Sequence, residues 1–584
     1  MLFEAFKRQR TERPGAAAFL VTSGDRSVPI SWRQFTDDIE TIVSLIDLYC
    51  PEGTVGLIGE NSYEWMVSHA ACLFAGATVV PIEPGLNADD IAARLRFVGA
   101  DALIYSSLYV EKAREVGRLA PELILGGFGT TKTDGFLDKA RQAIGDGRVQ
   151  GVFSRDSVDT GKVSMLVFTS GTTSRPRGAQ LTIAGIEEFC AVWGSALGMK
   201  PSDRSLMVLP LHHIFGICST YLMLTKGVAL GVCPDFRRLY DAVERFRVNY
   251  LMLVPALADI LATRIAQHGP TAEAAFGTPI DWILVGGAPL ARSSYERLRG
   301  LGIKAITAYG LTETTALFSV SSSEGEPKVG SAGRAPRGGA TETRVSEAGE
   351  LLVRGPGVFK GYFKEPERTE ETLGADGWFR TGDLGRIDAD GTVWITGRAT
   401  RTIVLSSGKK IAPEELEEKL LSLPGVLEAV VTGDGETREV CAEIYASVSE
   451  EQVRRLVGDM NRRLPVYMRI GDVTVRGEPF PRTASGKIRV EASPRRFRSH
   501  SSPQAERDGA RRVSMGWVLG LGLLALAIAV LGFVPNYLAS QHVELPPSAR
   551  VIFGWLDLAG EILLVVFAVW CIVRAKSSGG RSER

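Results

Sequence analysis

The feature that most constrains this chain is a recurring alternation between short strand-like apolar runs and longer segments with helical spacing. VGLIGE at 55–60 reads as a strand, NSYEWMVSHAACLFAGA as a helix, and TVVPIEP as the next strand and turn. The order repeats with DDIAARLRFVGA and DALIYSS, helix then strand. Strands alternating with helices predict an α/β fold, a mostly parallel sheet covered by helices. SMLVFTS, SLMVLPL, YLMLVPA, DWILVGG and AITAYG are further strand-like segments, several ending directly in small or polar residues. Ligands of open α/β sheets collect beyond the carboxyl ends of the strands, so chemistry is sought at those ends.

At 584 residues the chain exceeds what one hydrophobic core supports, and more than one domain is expected. Residues 1–400 read as a large domain whose last part, ELLVRGPGVFKGYF through GWFRTGDLGRIDADGTVWITGR, is a β-rich subdomain dense in turns. Residues 402–494 read as a small α+β domain, with helices in APEELEEKLLSLPG and EQVRRLVGDMNRRL and strands in EAVVTG and VCAEIYASV. Hydrophobic residues at 45% and charged residues at 23% fit a globular class. A formal net charge of +0 provides no global field for nucleic acid, so none is expected as a partner. The seven cysteines are scattered without a CxxC pair, against a disulfide scaffold or structural zinc and in keeping with a reducing compartment. The N-terminus lacks the apolar core of a secretion signal.

Toward the C-terminus, residues 495–514 read as a polar tether and 515–573 as a two-helix transmembrane hairpin, followed by a tail at 574–584. Residues 515–534 carry no charge over 20 positions, enough for a span of about 30 Å. A second apolar stretch, 551–573, holds Asp557 and Glu561 on one helix face, which requires protonation, a partner helix or a shallower hairpin. Arg511 and Arg512 before the first stretch, and Arg574 and Lys576 after the second, predict both termini and the catalytic domains on the cytoplasmic side. The expectation is therefore an integral protein of a bacterial inner membrane, with the lipid bilayer as a partner and the hairpin as a route to oligomers.

The strongest local signal is FTSGTTSRPRG at 168–178, a strand that empties into hydroxyls, glycine and base. Backbone N–H groups with Thr169, Ser170, Gly171, Thr172 and Thr173 can surround an anion there, with Arg175 or Arg177 adding charge. On composition alone the segment is either a phosphate site or a plain loop. It is not the GxxxxGK[ST] pattern, so γ-phosphate transfer is not implied.

FTSGTTSRPRG resembles the phosphate-binding motif of the adenylate-forming (AMP-binding) superfamily, which includes acyl-coenzyme A synthetases, luciferases and peptide-synthetase adenylation domains. The similarity continues in order through LPLHHIFG (209–216), VGGAPL (285–290), AYGLTET (308–314), GWFRTGD (377–383), ITGRATRTIVLSSGKKIAPEELE (395–417) and PRTASGKI (481–488). It covers nearly all of residues 20–492; the apolar stretches lie outside it.

The resemblance implies ATP, Mg²⁺ and coenzyme A, and a small domain that moves between two half-reactions. It places the 168–178 loop on the β,γ-phosphates, and Tyr309, Gly310 and Thr312 in the nucleotide site, the first two bordering adenine. Glu313 resembles the magnesium ligand, with Thr169 as second contact. Asp383 falls on the acid that binds the ribose hydroxyls, and Arg398 on the arginine near ribose and α-phosphate. Gly287 and Ala288 lie where a backbone approaches the acyl-adenylate. His213 is implied beside the substrate carboxylate; without the family it reads equally as a structural histidine, and with His212 it lacks the neighbours of a zinc site. Lys487 matches the lysine that reaches between carboxylate and α-phosphate, neutralising two anions that otherwise repel.

Two departures stand out: Ser174 and Arg177 occupy usual glycine and lysine positions, and Thr400 and Arg401 replace the usual Lys and Asp near the hinge. IVLSSGKKIAPEE and YGLTET look like the fatty-acid–CoA ligase branch, which implies ligation of a medium- or long-chain fatty acid to coenzyme A through acyl-AMP. The alternatives are transfer to a separate acyl carrier protein, or a catalytically impaired acyl sensor or scaffold.

Overall fold

The computed structural model describes residues 1–481 apart from 25, 129–151, 155–157, 170–176, 337–339, 406–409 and 434–438, together with residue 488. Its first large sheet has six strands, in the order Ile124–Phe128, Ala102–Ser106, Thr54–Ile58, Thr78–Ile82, Val163–Thr169 and Arg177–Thr182. Neighbours in this sheet are parallel, with Val55 opposite Val79 and Ala102, until the last pair turns antiparallel with Thr169 opposite Arg177. A second sheet holds Tyr250–Leu253, Trp282–Val285 and Lys304–Tyr309 in parallel, closed by the short antiparallel strand Ser319–Val320. A third pairs Ala17–Ser23 with Arg26–Ser31 and with Ala229–Val232, which continues to Arg204–Met207. The expected α/β architecture is present.

Local sequence explains where the covering helices start and stop. Ser62 accepts the Trp65 N–H at the start of Tyr63–Ala75, and Gly76, at φ 79°, ends it in the left-handed conformation that glycine adopts without strain. Asn87 and Gly99 bracket Ala88–Val98 in the same way, with Asp89 and Asp90 in its first turn and Arg96 in its last. Every residue of Tyr63–Ala75 except Glu64 is buried, wedged between sheet and neighbouring helices, which is why its sequence is mostly apolar. The N-terminal helix Leu2–Glu12 closes this core with Leu2, Phe3 and Phe6; its short charged sequence gave no warning of that role.

The β-rich part is an antiparallel sheet of Glu342–Val345, Glu350–Arg354, Phe379–Ile387 and Val393–Arg398. Beyond it, a separate apolar core is built from Ile403, Leu416, Leu420, Val431, Ile444, Val453 and Val473 among others. Helices Pro413–Leu421 and Glu450–Arg463 pack there on strands Val426–Gly433, Val440–Ala446 and Ile470–Arg476; the last strand was not foreseen.

One set of expectations is corrected. Among the described residues no helix is long and apolar enough to cross a membrane. Trp32–Tyr49 has 18 residues, about 27 Å of helix, but carries Arg33, Asp37, Asp38, Glu40 and Asp47, which are costly in hydrocarbon. The tether at 495–514, the two stretches within 515–573 and the tail at 574–584 lie outside the described residues. Apolar length is necessary for a span without being sufficient, and Asp557 and Glu561 oppose burial of the second stretch. The transmembrane hairpin, the bilayer as partner, oligomers through the hairpin and the inner-membrane location are therefore withdrawn.

Candidate active site

Strand ends converge on one region. Val163–Thr169 and Arg177–Thr182 form a hairpin, so Thr169 and Arg177, register partners, sit at the two feet of the expected phosphate loop. Ser170, Gly171, Thr172 and Thr173, with Ser174 and Arg175, lie outside the described residues. Beside the hairpin runs the segment 360–363: Gln180 N–H donates to Gly361 O at 3.0 Å, and Lys360 N–H to Gln180 O and Phe363 N–H to Gly178 O at 2.8 Å each. Tyr362 from this segment donates its hydroxyl to Glu313 Oε1 at 2.7 Å. The Arg177 guanidinium lies 5.8 Å from the centre of the Tyr362 ring, and its Nε is 3.5 Å from Glu365. Sequence-distant Thr169, Arg177 and Glu313 are thus tied into one neighbourhood.

Glu313 lies in the short turn Thr312–Thr314 that follows strand Lys304–Tyr309. Thr315 and Ala316 take positive φ values of 50° and 60°, reversing the chain so that Phe318 N–H returns to Tyr309 O at 3.1 Å. Gly310 fills the inside of this reversal; a side-chain carbon there would lie 2.1 Å from Ala316 O. Leu311, Thr312 and Glu313 are half-buried.

Tyr309 also donates its hydroxyl to Asp383 Oδ2. Asp383, only 3% exposed, faces Arg398 across neighbouring strands, with Arg398 Nε at 2.8 Å from Oδ1. Thr381 props the turn: its hydroxyl donates to Leu351 O at 2.8 Å and accepts the Asp383 N–H at 3.1 Å. Burial first, and Asp383 second, push the Tyr309 phenol well above its ordinary pKa, so it stays a donor. A carboxylate has about four acceptor positions, so Asp383 retains capacity for a ligand's hydroxyls beyond these two partners.

On the opposite side, His213 stands at the start of helix Ile214–Thr225, its ring 4.4 Å from that of His212. Burial holds His212 down to about 3, hence neutral. Asn61 braces this turn from both sides, donating to Leu209 O at 2.9 Å and accepting the Leu211 N–H at 3.1 Å. Phe215, one turn on, packs under Gly286, where a side-chain carbon would lie 3.0 Å from its ring. Gly287 has φ +82° and, with Ala288, is exposed at the end of strand Trp282–Val285. The strand end thus offers bare backbone.

The structure brings Thr169, Arg177, Tyr309, Gly310, Thr312, Glu313, Asp383 and Arg398 into one connected set, with His213, Gly287 and Ala288 on the adjoining strand ends. Lys487 lies outside the described residues. Among the described residues no group of three or more His, Cys, Asp or Glu converges on a metal position. One carboxylate and one hydroxyl, Glu313 and Thr169, are hard oxygen donors that fit Mg²⁺ completed by phosphate oxygens and water. Asn61, Phe215, Tyr362 and Thr381 were missed; only Asn61, in a polar turn directly after a strand, carried a sequence signal.

Comparison with known proteins bears on the family and the fold. A family model described as AMP-binding enzyme matches residues 6–363, and one described as AMP-binding enzyme C-terminal domain matches residues 400–500. The chain is 28% identical over 434 residues to a long-chain-fatty-acid–CoA ligase, FadD15, of Mycobacterium bovis, covering 65% of this chain and 71% of the relative. Among solved structures it is similar to ATP-bound MatB from Rhodopseudomonas palustris, with TM-score 0.71 and 21% identity over 83% of this chain and 97% of that one. It is also similar to the O-succinylbenzoate coenzyme A synthetase of Bacillus subtilis in complex with ATP and magnesium, with TM-score 0.68 and 23% identity over 83% and 98%. At these identities the two solved structures speak to the fold.

Proposed function

The chain belongs to the AMP-binding enzyme family, and from that premise we propose that it ligates a medium- or long-chain fatty acid to coenzyme A. ATP-dependent formation of an acyl-adenylate, with Mg²⁺, is the ligase chemistry this family shares. The reaction proposed for this chain is acid plus ATP to acyl-AMP and pyrophosphate, followed by attack of the coenzyme A thiol on the acyl carbonyl and departure of AMP. AMP is the leaving group that a bare carboxylate lacks.

The observation that carries the reading is the linked pair of clusters, Arg177–Tyr362–Glu313 and Tyr309–Asp383–Arg398, at strand ends joined by one chain reversal. It supports a nucleotide laid across those ends: adenine against Tyr309, Gly310 and Thr312, ribose hydroxyls on Asp383, and α-phosphate near Arg398. Glu313 and Thr169 would hold Mg²⁺, and the loop between Thr169 and Arg177 the β,γ-phosphates. Bound magnesium supplies charge neutralisation on the departing pyrophosphate. His213 orients the substrate carboxylate, and Gly287 and Ala288 let the acyl-adenylate pass close to the backbone. Lys487 would serve to neutralise carboxylate and α-phosphate, stabilising charge at phosphorus in the transition state. Similarity to a long-chain-fatty-acid–CoA ligase supports the choice of acid.

Full-length protein incubated with ATP, Mg²⁺ and acids of increasing chain length, with coenzyme A or acyl carrier protein, tests this. The expected result is coenzyme A-dependent AMP release that rises toward medium or long chains. AMP release that requires carrier protein, or acid binding without pyrophosphate production, overturns it.

A further inference from the structure

The segment 359–363 grips Glu313 at two points. Phe359 N–H donates to the Glu313 main-chain carbonyl at 2.8 Å, and Tyr362 donates its hydroxyl to Glu313 Oε1 at 2.7 Å. The segment is itself fixed. Gly361 takes φ +129°, and a side-chain carbon there would lie 2.7 Å from Thr369, whose hydroxyl accepts the Tyr362 N–H at 2.9 Å. Tyr362 is buried, its ring edge-on to Phe359 with centroids 4.8 Å apart. On its other side it carries the Arg177 guanidinium, which forms the exit foot of the phosphate loop.

We infer that Tyr362 is a positioning residue that locks the Glu313 carboxylate in the orientation needed for Mg²⁺. The inference rests on the proposed role of Glu313. A carboxylate on a short turn rotates about its side-chain torsions, and a metal that demands near-octahedral geometry at short range loses affinity when that orientation is not preset. A phenol held by its own packing fixes Oε1, which leaves Oε2 as the oxygen for a ligand. The same ring also neighbours the Arg177 guanidinium, so a cation stands close to the fixed carboxylate.

The test is Tyr362→Phe, which keeps the ring, the Phe359 contact and the Arg177 contact while removing one hydroxyl. Calorimetric titration of ATP into full-length protein at a series of Mg²⁺ concentrations reads the effect without turnover. The expected result is a roughly tenfold rise in the Mg²⁺ concentration needed for half-maximal ATP affinity, the loss of one charge-assisted hydrogen bond. KM for Mg-ATP should rise more than kcat falls, and the thermal midpoint should stay near that of the parent. In a Glu313→Ala background the same substitution should change the Mg²⁺ dependence less than twofold. Unchanged Mg²⁺ dependence in Tyr362→Phe, or an equal effect with and without Glu313, overturns the inference while leaving the proposed function standing. Absence of Mg²⁺-dependent ATP binding by the parent protein overturns the functional reading and this inference with it.

Discussion

Asp383 and Arg398 face each other across two neighbouring strands, and the arginine Nε lies 2.8 Å from a carboxylate that is almost wholly buried. The pair is asymmetric. Arg398 is about half exposed, whereas Asp383 is held by strand, turn and the Tyr309 hydroxyl. Asp383→Asn removes the charge that orients both neighbours. It should lower kcat/KM for ATP roughly 10- to 100-fold, from the loss of about 1.5–3 kcal/mol of charge-assisted bonding. Steady-state kinetics checks this; an unchanged value would remove Asp383 from the nucleotide site.

Gly310→Ala addresses the chain reversal that joins the clusters. The added carbon would sit 2.1 Å from Ala316 O, a backbone atom that cannot swing aside. Overpacking of this kind costs about 1–3 kcal/mol. The variant should melt several degrees lower and bind ATP more weakly. Parent-like melting would show that the reversal has slack.

Acid sensitivity follows from buried imidazoles. Burial holds His69 down to about 3 against an ordinary value of 6.5, with Nδ1 paired to the Tyr221 hydroxyl at 2.7 Å. Below pH 6.5 the unfolded chain takes up the proton and the folded chain does not until about pH 3. Stability is therefore complete above that range and falls with decreasing pH, by about 1.4 kcal/mol per unit for each such histidine. His69→Gln keeps a partner for Tyr221 and does not titrate, so its denaturant midpoint should fall less steeply between pH 6.5 and 4. Parallel profiles for the two proteins would contradict this.

Near the hinge the departure from family pattern has a structural counterpart. Arg401 spends its fork on Glu417 at 2.6 Å and Glu414 at 2.9 Å, and donates to Val431 O at 3.3 Å. Burial lifts the Glu414 carboxyl above its ordinary range, against the opposing pull of Arg401. Arg401→Ala strands two half-buried acids and should cost about 2 kcal/mol, less than a fully buried pair would. Arg401→Lys should recover only part, since a point charge cannot bridge both. Hydrogen exchange of the amides in Pro413–Leu421 reads this directly.

Much of the fold was legible in sequence, since helix caps, periodicity and strand ends are local signals. The helices expected in NSYEWMVSHAACLFAGA and DDIAARLRFVGA are Tyr63–Ala75 and Ala88–Val98. Motif order nominated Glu313, Asp383 and Arg398, which the structure ties to Tyr362, Tyr309 and one another through hydrogen bonds and an ion pair. What was not legible is pairing at a distance. Nothing in one dimension joins Tyr362 to Glu313, 49 residues away, or Asn61 to the turn at Leu209 and Leu211. The strand Ile470–Arg476 was missed because the adjacent Gly471 and Asp472 break its alternation and read as a turn. The expected hairpin rested on apolar length and flanking basic residues, and no described helix meets the requirements for crossing a membrane.

The central claim is that a positive side chain lets an anionic acid approach an anionic nucleotide at these strand ends. Carboxylate-dependent exchange of labelled pyrophosphate into ATP by the full-length protein measures it most directly. The account predicts exchange with fatty acids, and a fall of roughly 10²- to 10³-fold in Lys487→Ala. No exchange with any carboxylic acid, or exchange by Lys487→Ala at the parent rate, would contradict it.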